Sequence, residues 1–295
     1  MAAVPFPAPG GEPHIVLSDS RFLVVSKPSG MHTAPGPGAP FEETLAGWVH
    51  ARFLDIADVH GRGKGEGGLL HRLDRDTSGL VLFARTEEAY RYLSEAAGAG
   101  GVRKEYRLVA APSPAGLRGS LPRLKAPAGV DEAGWISSLT AVNTSPAPLL
   151  REAIARGLEA GRPVFVESRF RPYGPGAARV ACAVQGAGHG ECPDPAVRRR
   201  GFGQSRHGVR GRPAYRTDIL SAEEAADACL YIRVALTRGF RHQVRAHLTW
   251  IGLPLVGDPL YGSALRGEAT LRLYLHAAAL EFPHPSGGAA VRVEG

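Results

Sequence analysis

A chain of 295 residues, 44% hydrophobic and 21% charged, has the composition of an ordinary globular protein. Its three cysteines (Cys182, Cys192 and Cys229) fit neither a disulfide framework nor zinc-ligand spacing, so a reducing cytoplasm is the expected setting. The amino terminus lacks the basic start and apolar core of a secretion signal, no apolar run reaches membrane-spanning length, and 35 Lys and Arg against 28 Asp and Glu leave +7, which favours polyanionic partners.

In chain order, HIVLSDSRFLVVSKPSG predicts a strand, an Asp/Ser turn, a Val-rich strand and a Lys-Pro-Ser-Gly turn, which together make a hairpin. FEETLAGWVHARF places Phe41, Leu45, Trp48, Val49 and Phe53 at helical spacing. GRGKGEGG reads as a flexible loop leading to Leu69, and Leu80 to Phe83 read as a short buried strand. Thr86 starts a helix, TEEAYRYLSEAAGAG, that glycines end, and VRKEYRLVAAP is the next strand. Strand, helix and strand up to Pro112 give an α+β pattern. Beyond it prolines and glycines crowd the chain until a helix with Leu149, Leu150, Ile154 and Leu158 on one side, closed by Gly161. A hairpin around Pro-Tyr-Gly-Pro-Gly follows, then a Gly-rich mobile loop bearing Arg198, Arg199 and Arg200. YIRVALTRG is a strand, RHQVRAHLTWIG a helix, LPLVGDPLYG a loop, and LRLYLHAAALEFPHP a strand or short helix running into a last strand. There is no internal repeat.

Charge is unevenly placed. Ser113 to Arg210 holds 14 basic and 7 acidic residues, which is the entire surplus. That stretch is a candidate electrostatic footprint for nucleic acid.

The densest cluster of reactive groups is His71-Arg72-Leu73-Asp74-Arg75-Asp76-Thr77-Ser78-Gly79. Flanking arginines favour the ionised form of Asp74, as a nucleophilic or electrostatically stabilising carboxylate requires. A surface turn with solvated ion pairs is the other reading, but a place between a glycine loop and an apolar strand is where site residues are commonly displayed.

HRLDRDTSGLVLFART resembles the catalytic signature of the RluA-type pseudouridine synthases. VVSKPSGM resembles the family's first strand and Lys-Pro-Gly turn, RKEYRLVA its Lys-x-Tyr strand, HQVRAHLTWIGLPLVGDPLYG its His-Gln-x-Arg helix and Gly-Asp-Pro loop, and LHAAALEFPHP its closing segment. These motifs, in the family's order, cover residues 14–112 and 211–285. The resemblance implies an α+β pseudouridine synthase fold: a mixed, mainly antiparallel central sheet flanked by helices and loops, with an active-site cleft across the middle. It implies an RNA uridine isomerase that detaches uracil and rejoins it through carbon 5 without metal or cofactor.

By the same resemblance Asp74 is the catalytic aspartate, Arg245 the arginine that pairs with it, and Tyr106 the tyrosine that packs on the target base and assists the closing proton removal. Leu275 lines the base pocket. The target base must leave its stack, and Arg72 is the group expected to fill the vacated space or hold the displaced phosphate. Lys104 and Arg241 are candidates for phosphate contact. His71 reads as structural, and Thr77 and Ser78 as fixing the loop through hydroxyl to backbone bonds.

The chain departs from the family pattern in three places. Gly239-Phe240-Arg241 stands where the family has Gly-Arg-Thr, which puts the role of Arg241 in doubt. Arg212 to Thr217 carries one residue more than the family spacing, which suggests a local bulge or a divergent subfamily. Residues 113–210 exceed the usual connection and read as a basic Gly/Pro/Arg-rich insertion or expanded subdomain that clamps RNA. The expected organisation is one catalytic domain over 1–295, with no separate amino-terminal RNA-binding domain, acting as a monomer on ribosomal or transfer RNA and not at a membrane. An RNA-binding or RNA-folding protein with secondary or no isomerase activity is the alternative. A hydrolase using Asp74 and Asp76 is weaker, because Arg75 favours both as carboxylates whereas a general acid must be held protonated.

Overall fold

The Val-rich run after Asp19 becomes the buried part of a hairpin, β1 (His14–Ser18) antiparallel to β2 (Phe22–Lys27). Asp19 closes the turn by accepting the Arg21 amide on its carboxylate at 2.8 Å. The remaining strands are β3 (Ser78–Ala84), β4 (Arg103–Ala110), β5 (Val164–Tyr173), β6 (Arg179–Ala183), β7 (Tyr215–Glu224), β8 (Leu230–Leu236), β9 (Leu275–Pro283) and β10 (Ala290–Glu294). The helices are α1 (Leu45–His50), α2 (Leu54–Ala57), α3 (Glu87–Ala99) and α4 (Gln243–Trp250). This computed structural model describes residues 6, 10–111, 154–155, 157–161, 164–173, 179–183, 213–225, 229–261 and 272–295. The chain divides into two units, Met1–Leu108 with Ala235–Arg238 and Thr270–Gly295, and Val109–Val234 with Gly239–Ala269.

In the first unit the strand order is β1-β2-β3-β9-β4, with β10 also on β9. The β3–β9 pairing, Ser78↔His276 and Gly79↔Ala277, is parallel, and the others in this unit are antiparallel. Every residue of β3 is buried, as its uninterrupted apolar sequence predicts. Phe22, Val24, Leu80, Leu82, Leu280 and Phe282 join Ala89 and Leu93 of α3 in one core. Helix α3 runs between its expected signals: the Thr86 hydroxyl accepts the Ala89 amide at 3.2 Å, and Gly100 ends it at φ 84°.

The helix expected across Phe41–Phe53 is broken into a 3₁₀ turn at Phe41–Glu43, α1 and α2. Thr44 is the reason, because it is extended and accepts the Gly47 amide on its hydroxyl, so a new helix starts there. Nor is GRGKGEGG merely a flexible linker. Gly68 sits at φ 67° with its Cα against the Ala84 carbonyl, where a side chain would collide.

The second unit orders its strands β8-β7-β5-β6. β5 pairs antiparallel with β6 from Arg169↔Ala183 to Tyr173↔Arg179, as the Pro-Tyr-Gly-Pro-Gly segment predicts, and with β7 from Val164↔Ile219 to Ser168↔Tyr215. The β5–β7 register does not shift, so the bulge expected before Thr217 is absent from the described pairs. Residues 154–155 and 157–159 are helical. Two strands of the supposed insertion are therefore sheet strands, while its Arg198–Arg200 run and most of the mobile loop lie outside the described residues. Helix α4 is buried along its whole length, and Ala246 packs with Phe170, Val180 and Tyr261.

Candidate active site

Asp74 stands in a turn closed by the Thr77 amide on the Asp74 carbonyl at 3.1 Å, just before β3. The end of β2 meets this turn, because the β2–β3 register sets Lys27 opposite Gly79. From there residues 27–33 line the aspartate turn. Thr33, 2% exposed, donates its hydroxyl to the Leu73 carbonyl at 2.7 Å and accepts the Leu73 amide at 3.1 Å. The Arg75 carbonyl accepts from the Gly30 amide at 2.9 Å and from Lys27 Nζ at 3.0 Å. Ser29 donates to the Asp76 carbonyl at 2.7 Å, and Arg75 Nε returns a bond to the Gly30 carbonyl at 3.0 Å. The main chain on both sides of Asp74 is thus tied to one short segment.

Gly79 follows at φ 116°, with the Ala277 backbone where a Cβ would stand. No other residue type fits this close approach of β3 to β9. Ser78 pairs with His276 Nδ1 at 2.9 Å, and the buried Thr77 hydroxyl has no hydrogen-bond partner among the described residues. The expected hydroxyl to backbone bonds are therefore not made. The main-chain amide of Thr77 closes the turn, and the hydroxyl of Ser78 serves the sheet.

Tyr106 lies on β4, 8% exposed, and its pairing with Ala277 follows a register shift after Glu105 that leaves Ala278 of β9 as the extra residue. Burial, and then the negative charge of Asp74, push its phenol well above the ordinary tyrosine range. In this state Tyr106 is a neutral group suited to packing and donating, which weighs against proton removal by a tyrosinate. Leu275, 3% exposed, pairs with Leu108 next along the same two strands. Arg72 is exposed and reaches Glu66 at 3.3 Å. Lys104 is held down at about 8 by burial and then by the Arg62 charge. His71 accepts the Leu82 amide on Nε2 at 3.3 Å and is kept neutral by burial, in keeping with a structural part.

Arg245 and Arg241 belong to the second unit. Arg245, 3% exposed, makes a two-pronged bond to Asp258, Nε to Oδ2 at 2.8 Å and a terminal nitrogen to Oδ1 at 2.7 Å. Asp258 also accepts the Leu260 and Tyr261 amides, and these bonds overcome its burial to hold the carboxyl below its usual range. Two residues further on α4, His247 is fully buried between the Ser168 hydroxyl on Nε2 at 2.9 Å and the Thr217 hydroxyl on Nδ1 at 2.8 Å. Burial pushes His247 down to about 3, so its ring is neutral and gives one donor and one acceptor to those hydroxyls. Gln243 adds bonds to the Arg216 carbonyl at 2.9 Å and Thr217 at 3.1 Å. Arg241 is exposed beside the start of this helix.

Asp74, Tyr106, Leu275, Arg72 and Lys104 lie in the first unit, and Arg245 and Arg241 in the second; to these are added Lys27, Ser29 and Thr33 in the first unit and His247 and Asp258 in the second, to which the sequence motifs assigned no part. VVSKPSGM, the His-Gln-x-Arg helix and the Gly-Asp-Pro loop were the signals that contained four of these five (Lys27, Ser29, His247 and Asp258). Among the described residues no group of three or more His, Cys, Asp or Glu side chains is placed to hold a metal ion.

The carboxylate of Asp74 thus stands in a backbone-tied turn, with its charge acting on the buried Tyr106, on a mainly antiparallel α+β scaffold. Solved structures share the scaffold: human RNA pseudouridylate synthase domain containing 1 aligns with TM-score 0.56 at 19% identity, over 98% of this chain and 85% of that one. Human RNA pseudouridylate synthase domain containing 4 gives 0.53 at 14%, over 95% and 87%. Residues 21–250 match the RNA pseudouridylate synthase family model, and the chain belongs to that family. An uncharacterized RNA pseudouridine synthase of Chloroflexus aurantiacus is 30% identical over 89% of this chain and 59% of that protein. Ribosomal large subunit pseudouridine synthase C of Escherichia coli K12 is 28% identical over 95% of this chain and 65% of that protein. The chain therefore spans 59% and 65% of the lengths of these two relatives.

Proposed function

We propose that the chain isomerises uridine in structured RNA to pseudouridine, with Asp74 as the catalytic group. In that reaction the bond from C1′ to N1 of the base breaks, the uracil turns, C5 bonds to C1′, and the proton leaving C5 is replaced by one gained at N1. Atoms balance without a co-reactant. The observation that carries the reading is the double-sided backbone tether of the Asp74 turn, since placing a reacting carboxylate within a fraction of an ångström is what such a step requires. Family membership supports the same chemistry. By the family resemblance, Arg245 is proposed as the partner of Asp74, Tyr106 and Leu275 as walls for the base, and Arg72, Lys104 and Arg241 as contacts to the displaced or flanking phosphates.

Ribosomal or transfer RNA is the proposed substrate class, and the basic stretch 113–210 is proposed to bind RNA. Free Cys182 and Cys229 accord with a reducing, cytoplasmic setting. The test is chemical mapping of pseudouridine across total cellular RNA with the protein absent, present, or replaced by Asp74→Asn. Loss of discrete sites, restored by wild type and not by the variant, is the expected result. An unchanged map with the protein expressed would leave RNA binding as its activity. Deleting residues 185–207 should weaken RNA affinity and flatten its salt dependence.

A further inference from the structure

The glycine loop ahead of the aspartate turn closes around a buried acid, Glu66, which is 8% exposed. Its amide bonds the Gly63 carbonyl at 3.1 Å and its carbonyl accepts the Leu69 amide at 3.0 Å, so its main chain is fixed on both sides. A Cβ on Gly61 would strike the Glu66 carbonyl, and one on Gly67 would come within 2.9 Å of the carbonyls of Ile56, Ala57 and Val59. The buried His50 adds a bond from Nε2 to the Gly67 carbonyl at 3.0 Å. The Glu66 side chain folds back over its own loop, with its carboxyl carbon 3.5 Å from where a Cβ would stand on Gly63. Among the described residues that carboxylate bonds to Arg72 alone, Oε1 to Nη1 at 3.3 Å. A leucine would fill the same space without burying charge, so packing gives no reason for an acid here.

We propose that Glu66 is a positioning residue for Arg72: the packed glycine loop fixes the carboxylate, and the carboxylate holds the guanidinium in one orientation beside the Asp74 turn, ready to meet structured RNA. The proposal rests on the reading of Arg72 as the group that fills the space left by the target base or holds the displaced phosphate. The Arg72 side chain is 58% exposed, and a long exposed side chain samples many rotamers unless something restrains it. Two restraints act on it. Thr33 pins the next residue, Leu73, through both its amide and its carbonyl, and Glu66 holds Nη1. Nε and Nη2 are left for the RNA, so the contact restrains the fork without using it up. Flipping follows RNA binding, which makes turnover rather than affinity the quantity that the contact governs.

The experiment uses the full chain as wild type, Glu66→Gln, Arg72→Ala and the double variant, with isomerisation of ribosomal RNA transcripts as the assay. Glu66→Gln keeps the shape of the side chain and removes its charge. It is expected to lower kcat by about 10-fold with KM for RNA unchanged, the cost of ordering one long side chain during turnover. The double variant should be no slower than Arg72→Ala, because Glu66 acts through Arg72. Unchanged kcat in Glu66→Gln, or losses that multiply in the double variant, would overturn the proposal. Full turnover by Arg72→Ala would also overturn it, while leaving Asp74 as the reacting group. If wild type isomerises no uridine, the functional reading fails, and nitrogen relaxation of the Arg72 Nε–H group in RNA-free protein decides the positioning by itself. An ordered group in the wild type that becomes mobile in Glu66→Gln supports it. A mobile group in the wild type overturns it, even where the variant does not fold, and so does equal order in both proteins.

Discussion

The turn that carries Asp74 and the helix that carries Arg245 are held by different kinds of bond. Around Asp74 the main-chain carbonyls of Leu73, Arg75 and Asp76 accept from one segment, Lys27 to Thr33, which in turn accepts from the Leu73 amide and Arg75 Nε. Around α4 the bonds run mainly between side chains: Arg245 to Asp258, His247 to Ser168 and Thr217, and Gln243 to Thr217. A turn held through its backbone keeps its path whatever side chains it displays. A helix held through buried side chains depends on the identity of each one, and losing a partner strands a polar group in the core. The first arrangement suits placing a reacting group, and the second suits fixing a helix in the core.

Substitutions should separate the two regions, and the largest effect belongs to the helix. Asp258→Leu removes the carboxylate bound to Arg245 in a bridge only 3% and 0% exposed, so denaturant melts should show a loss of about 3–5 kcal/mol. Next comes the turn. Gly79→Ala forces a side chain into the Ala277 backbone at positive φ, for a loss of roughly 2–3 kcal/mol in the same assay.

The third effect is read as a pH slope. His247 sits near 3 in the folded state against 6.5 when free, so the unfolded chain binds more protons between those values. As pH falls below 6.5, His247 removes about 1.4 kcal/mol of stability per pH unit, and His247→Gln should flatten that slope in acid melts. Smallest is Thr33→Val, which deletes one hydroxyl from the tether and should lower stability by about 1 kcal/mol. Its sharper consequence is faster exchange of the Leu73 amide, with β3 unaffected.

Much of this was legible in the sequence where one residue type fixes a local outcome. Thr86 and Gly100 bracket α3, and the apolar run of β3 reads directly as a buried strand. The unassigned strand β7 shows the limit: of its ten residues only Thr217 and Ile219 are buried, too few to draw an alternating pattern. Thr44 looked like one more helical residue, because nothing in its neighbours reveals that its hydroxyl will cap α1. At the site, Asp74 stood out through its motif, but Lys27 and Thr33 act on carbonyl oxygens 48 and 40 residues away, and carbonyls leave no mark in a sequence. Asp258, thirteen residues from Arg245, lay in a segment recognised only as a loop.

The central claim is that Asp74 carries an RNA isomerisation. Its most direct test is pseudouridine formation in ribosomal and transfer RNA transcripts by the purified chain and by Asp74→Asn, with RNA binding measured on the same samples. The account predicts pseudouridine from the wild type, none from the variant, and equal binding by both. Equal pseudouridine from both proteins, or RNA bound by both and isomerised by neither, would contradict it.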